Sequence, residues 1–295
     1  MTIEGTHGLW ADLALDLEEN VEIDAYIFGI PYDGLASARL GAKEAPQKMR
    51  QWSRHLTPFS EDRTPLSNVK LVDMGDFEIN DPAQDYPRIQ QKLLTWRGNR
   101  IGLGGDHSVA IPMIGAALKE NPNMGLLWVD AHPDLCDVFD GSGLSHASVL
   151  RRSLEAGLKP ENVCMVGLRS WEEQELNLIE DAGFNIFTAS KVAEIGIKKV
   201  IEEIKNVFIK CDGIYLSFDI DALDPSVAPG TGIPEFGGLN SRDVLTLIKM
   251  LQAYRLVGMD LVEVAPPLDP TDATVFAGLK IIMEYIAVIA RQKLG

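Results

Sequence analysis

Short, mainly apolar runs recur along this chain, each followed by a longer segment of helical period, and that alternation restricts the fold more than any other feature. The runs fall at 25–30, 69–74, 101–103, 125–129, 163–167, 184–187, 214–218 and 257–264. Several, such as AYIFGI and GLLWV, are apolar at successive positions, so both faces of the strands they form must be covered. Helices are expected at 45–55, 83–97, 108–120, 145–156, 172–182, 198–210, 241–254 and 271–291, with Ser241 and Thr271 as N-caps of the last two. Alternation from end to end implies an α/β fold: three α/β/α layers around a central, mostly parallel sheet of about eight strands. Ligands bind such a sheet just beyond the carboxyl ends of its strands. No repeat, low-complexity linker or charge block divides the chain, so residues 1–295 are read as one domain.

Four expected strand ends carry acidic or imidazole groups. In LGGDHSVAIP (103–112) two glycines permit a tight turn and leave His107 where the next helix starts. In LLWVDAHPDLCD (126–137) Asp130, His132 and Asp134 stand at alternate positions, which share one face of extended backbone. Asp219 and Asp221 repeat that spacing in LSFDIDALDPSVAPGTG (216–232), and MDLVEVAPPLDP (259–270) places Glu263 after the last run. Four aspartates crowded at one sheet edge would repel one another strongly in a cleft of low dielectric, a conflict that cations remove. Carboxylates with two imidazoles suit Mn²⁺, with Fe²⁺, Co²⁺ or Zn²⁺ as substitutes. His107, Asp130, His132, Asp134, Asp219 and Asp221 are too many for one hydrolytic metal with an open position, and suit two metals about 3.5–4 Å apart. A lone Asp after a strand is more often a turn residue, and a lone His more often structural. The set is different: His107, His132 and His146 are three of the five histidines in the chain, and all fall in or beside these segments.

GGDHS, DAHPD, SFDIDALDP with the PGTGIPEFGGL after it, and EVAPPLDPT match the signatures of the ureohydrolase (arginase/agmatinase) family in order and approximate spacing. PYDGLASARLGAKEAPQKMR (31–50) is similar to that family's glycine- and proline-bearing N-terminal segment, so the chain resembles the family over roughly residues 25–290. The resemblance implies an arginase-like fold and two Mn²⁺ per subunit. His107, Asp130, Asp134 and Asp219 would surround one, and Asp130, His132, Asp219 and Asp221 the other, with Asp130 and Asp219 shared. It further implies hydrolytic release of urea from a guanidino compound and a homo-oligomer, trimeric or hexameric. Glu263 matches the carboxylate that pairs bidentately with the guanidinium fork. His146, in GLSHAS, matches the histidine that moves protons to and from the departing amine. Asp106 is expected to shape the turn or support a metal histidine rather than ligate.

The stretch after DAHPD departs from familiar arginases, which carry an Asn and then a Ser/Thr/Asn loop for the amino-acid head. Here LCDVFD (135–140) offers no such donors, and Asp137 and Asp140 would repel an α-carboxylate. A small cationic guanidino substrate with an amine tail is therefore expected, agmatine giving putrescine and urea. Plant-type arginases have a similar segment, so arginine stays open. Guanidinobutyrate, guanidinopropionate and formiminoglutamate stay open too, through Arg39, Arg151 or Arg152 as partners for their carboxylates. The net charge of −16 disfavours nucleic acid or an anionic membrane surface and favours cationic ligands. No uninterrupted apolar run reaches the roughly 18–20 residues of a membrane span, and the first residues lack a secretory pattern. Cys136, Cys164 and Cys211 are widely spaced without a CxxC, so a cytoplasmic location is expected. A single-zinc amidohydrolase of the same broad fold would want adjacent histidines, and the chain has none. A catalytically silent metal-binding subunit would usually have lost a ligand or the shuttle histidine, and all are present. Phosphate-binding GxxxxGK[ST] and GxGxxG loops are absent after the strands.

Overall fold

The computed structural model describes residues 8–16 and 21–294. Among these, eight strands form one sheet: β1 (Ala25–Gly29), β2 (Leu71–Asp76), β3 (Asn99–Leu103), β4 (Gly125–Val129), β5 (Val163–Val166), β6 (Asn185–Phe187), β7 (Ile214–Asp219) and β8 (Leu256–Val262). Their order across the sheet is β2-β1-β3-β8-β7-β4-β5-β6, and every pair is parallel. The helices are α1 (Leu9–Asp12), α2 (Ala45–Ser53), α3 (Pro82–Leu93), α4 (Ala110–Glu120), α5 (Val149–Glu155), α6 (Leu176–Asp181), α7 (Ala189–Ile195), α8 (Ile197–Phe208), α9 (Ser241–Met250) and α10 (Ala273–Leu294). α1 is a single turn whose Trp10 and Ala11 are left-handed.

Strand alternation sorts the core into two layers. On one face Leu127, Val129, Leu216 and Phe218 pack with α2, α8, α9 and α10. On the other Leu126, Trp128, Met165 and Tyr215 pack with α3, α4 and α5. That two-sided burial is why β4, β5, β7 and β8 are buried along their whole length and mainly apolar on both faces, as parallel strands under helices tend to be. The sheet also brings β3, β8, β7 and β4 together as consecutive neighbours near its middle. These are the four strands whose carboxyl ends run into His107, Glu263, Asp219 and Asp130.

Two local expectations differ from the structure. α7 was not anticipated; it is one short helix capped by the Thr188 hydroxyl, and Gly196, at φ +80°, separates it from α8. The N-cap of α9 is Asn240, which accepts from the Asp243 amide, so Ser241 is already inside the helix. At α10 the Thr271 hydroxyl accepts from the Ala273 amide. Finally, α10 is long and apolar enough by length and composition to cross a membrane, although no single run in the sequence is uninterrupted. In this fold most of it is core, and the Lys280–Glu284 pair (2.6 Å) sits along it.

Candidate metal centre

The acidic and imidazole groups do not share a face of extended backbone, as their alternate spacing suggested. β4 ends at Val129, and the chain turns through a loop in which Asp134 has φ +50°. The loop is pinned by its own polar groups: the His132 amide donates to Asp130 Oδ1 (2.7 Å), the Trp128 indole to the His132 carbonyl (2.9 Å), and the Leu135 amide to Glu175 Oε1 (2.7 Å). Asp219 closes β7, whereas Asp221 lies in the 3₁₀ turn Ile220–Ala222 and donates its amide to Asp219 Oδ1 (2.8 Å). His107 opens another 3₁₀ turn, capped by Asp106 through the Ser108 amide (3.0 Å). Gly105 has to be glycine, because a Cβ there would lie 1.7 Å from the Tyr32 carbonyl oxygen.

These turns aim both imidazoles at the same carboxylates. His107 Nδ1 lies 3.1 Å from Asp130 Oδ2, 3.0 Å from Asp134 Oδ2 and 3.2 Å from Asp219 Oδ2. His132 Nδ1 lies 3.1 Å from Asp221 Oδ2 and 3.5 Å from Asp130 Oδ1. Asp130 thus turns one oxygen to each histidine. A ring nitrogen has one lone pair or one proton, so it cannot satisfy three oxygens; His107 Nδ1 and Asp130 Oδ2 are in fact buried without a hydrogen bond. Two donor groups result, His107 with Asp130 and Asp134, and Asp130 with His132 and Asp221, each compact enough to surround one cation. Burial, then Asp134 and Asp221, push the Asp130 carboxyl up. Burial, then Asp221 and Asp130, raise Asp219 well above the usual range. Burial works against the charge on His107, but the carboxylates around it prevail and hold its pKa well above normal. Carboxylates that perturb one another this strongly around two imidazoles form a donor set that fits a pair of divalent cations.

Behind the ligands lies support that sequence reading missed. His107 Nε2 meets Ser217 Oγ (3.0 Å), which donates to Asp260 Oδ1 (2.8 Å), and the His107 ring stacks on Trp128 at 4.4 Å. Strand register sets Trp128 beside Ser217 and Ser217 beside Asp260. Trp128 therefore does more than fill the core. The clue was present, since Ser217 stands two residues before Asp219 and Asp260 three before Glu263. Asp106 makes the expected turn and also accepts the Leu35 amide (2.9 Å), and burial, then Glu263, pushes its carboxyl up to about 7.

Glu263, at φ +60°, is the first residue past β8. It accepts the His107 amide (2.8 Å) and faces His146 Nδ1 at 3.4 Å. Burial disfavours charge on His146, but Glu263 outweighs it and lifts the imidazole to about 9. A cavity of about 230 Å³ opens above, with His132, Asp134, Asp219 and Asp221 in its floor, His146 and Glu263 in its wall, and Arg39, Phe139, Trp171, Glu172 and Glu235 around them. His107 and Asp130 lie buried beneath. Thus all eight sequence-nominated residues converge on one site. Of the three arginines considered for a carboxylate tail, Arg152 pairs with Asp137 (2.7 Å) and Arg151 with Glu155 (3.2 Å), away from the cavity. Arg39 reaches the wall, where its Nε and Nη2 donate to the Gly232 (3.0 Å) and Thr231 (2.8 Å) carbonyls. Cys136 is buried, and burial raises its thiol out of the reactive range.

Comparison with known proteins agrees with this geometry. The profile described as the arginase family matches residues 23–287. The chain is 33% identical to a guanidinobutyrase from Pseudomonas aeruginosa, over 90% of this chain and 86% of that protein. It is 34% identical to an agmatinase from Proteus mirabilis, over 92% and 89% respectively. Among solved structures, proclavaminate amidino hydrolase from Streptomyces clavuligerus superposes with a TM-score of 0.87 at 29% identity, covering 92% of this chain and 93% of that one.

Proposed function

Since the chain belongs to the arginase family and is a hydrolase of amidino C–N bonds, we propose that it releases urea from a small guanidino substrate with an amine tail, agmatine yielding putrescine. The observation that carries this reading is the division of Asp130 between two imidazoles, with Asp134 and Asp221 completing two adjoining ligand groups and Asp219 Oδ2 lying 3.2 Å from His107 Nδ1. His107, Asp130, Asp134 and Asp219 would hold one Mn²⁺, and Asp130, His132, Asp219 and Asp221 the second. When bound, such a metal pair lowers the pKa of water so that a hydroxide nucleophile is available near neutrality. Glu263 receives the guanidinium, whose planar N–H fork matches a carboxylate. The same carboxylate raises the proton affinity of His146, so that Nδ1 can take up a proton and deliver it to the amine nitrogen as the C–N bond breaks. The buried floor keeps bulk water from competing for these groups.

The tail assignment rests on charge. Glu172 and Glu235 lie in the cavity wall, while Arg39 is engaged with two carbonyls and Arg151 and Arg152 with carboxylates. An ammonium finds partners there more readily than a carboxylate. A guanidino acid is the second reading, favoured by Arg39 in the wall and by the likeness to a guanidinobutyrase. Urea release by the Mn²⁺-loaded chain from agmatine, arginine, guanidinobutyrate, guanidinopropionate and free guanidine separates the readings. The highest kcat/KM is expected for agmatine, and a preference for a carboxylate-tailed compound would overturn the tail assignment. Asp130→Asn should remove metal and activity together. Its metal-free form should be at least as stable as wild type, because a buried repulsion is relieved. Mn²⁺ should raise the Tm of wild type and not of the variant.

A further inference from the structure

We propose that Ser37 is a positioning residue for proton transfer at His146, holding the outer nitrogen of the imidazole and joining it to solvent. This rests on the hydrolytic reading above. The two ring nitrogens of His146 face opposite ways. Nδ1 points inward to Glu263 (3.4 Å), and Nε2 points outward to Ser37 Oγ (2.9 Å). The imidazole is only 14% exposed, whereas Ser37 is at the surface. A hydroxyl both donates and accepts, so it can serve either tautomer of the ring.

The loop that presents Ser37 is built to hold it. The Asp33 carboxylate accepts the Gly41 amide (2.8 Å), Asp106 accepts the Leu35 amide (2.9 Å), and Arg39 clamps the Thr231 and Gly232 carbonyls. Ser37 is thus bracketed by the tethers at Leu35 and Arg39, two residues away on either side, and by the Asp33–Gly41 bond that closes the loop around it. Once a guanidinium takes up the Glu263 carboxylate, the imidazole loses its counter-charge and works as the neutral ring with its proton on Nε2, and the proton traffic balances. When the attacking water is deprotonated, its proton enters at Nδ1, the Nε2 proton passes to Ser37 Oγ, and the hydroxyl proton goes to solvent. When the amine leaves, a solvent proton reaches Ser37, the hydroxyl proton moves to Nε2, and the Nδ1 proton bonds to the amine nitrogen. No net charge accumulates on either residue. The charged groups facing the ring are Glu263 from the end of β8, Asp134 from the loop after β4, and Asp106 ahead of His107.

The test compares wild type, Ser37→Ala, Ser37→Thr and His146→Ala in urea release across pH, with and without imidazole buffer. Ser37→Ala should lower kcat about tenfold, less than the ~100-fold or more expected on losing the imidazole itself. KM should be nearly unchanged. The deficit should deepen as pH rises and solvent protons become scarce, shrink as imidazole is added, and be largely absent in Ser37→Thr. Wild-type kcat for Ser37→Ala throughout the pH range, or an equal loss in Ser37→Thr with no response to imidazole, would overturn the inference while leaving the hydrolase reading intact. A wild-type chain releasing no urea from any guanidino compound would bring down both.

Discussion

Glu263 has two tasks that glutamine could only half perform. Its Oε1 accepts the His107 amide, which an amide oxygen could also do, but its charge is what faces His146 and would face a guanidinium. Glu263→Gln should therefore keep its metal, since Glu263 belongs to neither ligand group. It should lose roughly 10- to 100-fold in kcat/KM, in line with the ~1.5–3 kcal/mol of a charge-assisted hydrogen bond. Metal analysis and urea assays on one preparation check both halves, and full activity would remove the guanidinium role. A pH effect accompanies it. The His146 pKa is raised from 6.5 to about 9, burial being outweighed by Glu263. A raised pKa stabilises the fold fully below about 6.5, and that contribution is lost as pH climbs through about 9. Urea denaturation of the metal-free chain across that window should show a loss in wild type that is much smaller in Glu263→Gln. The identities of the eight nominated residues were readable because chemistry leaves a local mark, a motif after a strand. Ser217 and Asp260 were marked only by standing close to Asp219 and Glu263, and Ser37 not at all, because each acts on a residue more than a hundred positions away or on another strand.

α10 starts under the control of a residue outside it. Asp269 accepts from the amides of Thr271 (3.0 Å) and Thr274 (2.8 Å) and from both hydroxyls. The Thr274 hydroxyl in turn accepts the Gly230 amide (2.8 Å), which ties the helix to the loop gripped by Arg39. Asp269→Ala should cost roughly 1–3 kcal/mol, combining a lost cap with stranded buried donors. The Asp269 carboxyl is held at about 2, burial being overcome by those four hydrogen bonds. A depressed pKa means stability present above the ordinary value near 4 and lost as pH falls through about 2. Asp269→Asn should therefore flatten the acid limb of a chemical-denaturation profile, and an unchanged limb would refute the capping account. At this scale the sequence was most legible where burial is two-sided. All eight apolar runs are strands, since a parallel strand between helix layers has room for few polar residues, and those it holds, such as Ser217 and Asp260, are hydrogen-bonded. Legibility failed where elements are short. α7 spans seven residues, too few for its period to stand out, and Asn240 outranks Ser241 as a cap only through a side-chain contact. It failed again at 130–134, where residues at alternate positions meet through a left-handed turn at Asp134 rather than along a strand.

At the scale of the molecule, strand order does what no segment could. β3, β8, β7 and β4 come from distant parts of the chain, yet they lie side by side, and their carboxyl ends deliver ligands to one floor. The charge of the whole chain acts on what approaches that floor. Forty-three acidic residues against 27 Lys and Arg leave −16, with Glu172 and Glu235 at the cavity. A field of that sign draws in a dication such as agmatine and is nearly indifferent to a zwitterion such as guanidinobutyrate. Raising ionic strength from about 0.01 to 0.15 M shortens the Debye length from ~30 to ~8 Å, which screens long-range attraction and leaves contacts inside the cavity largely intact. The kcat/KM for agmatine should therefore fall several-fold over that range, with kcat steady, while the value for guanidinobutyrate stays flat. Equal salt dependence for the two compounds would mean that the acidic surface takes no part in capture, and selection would then lie wholly with the groups lining the wall.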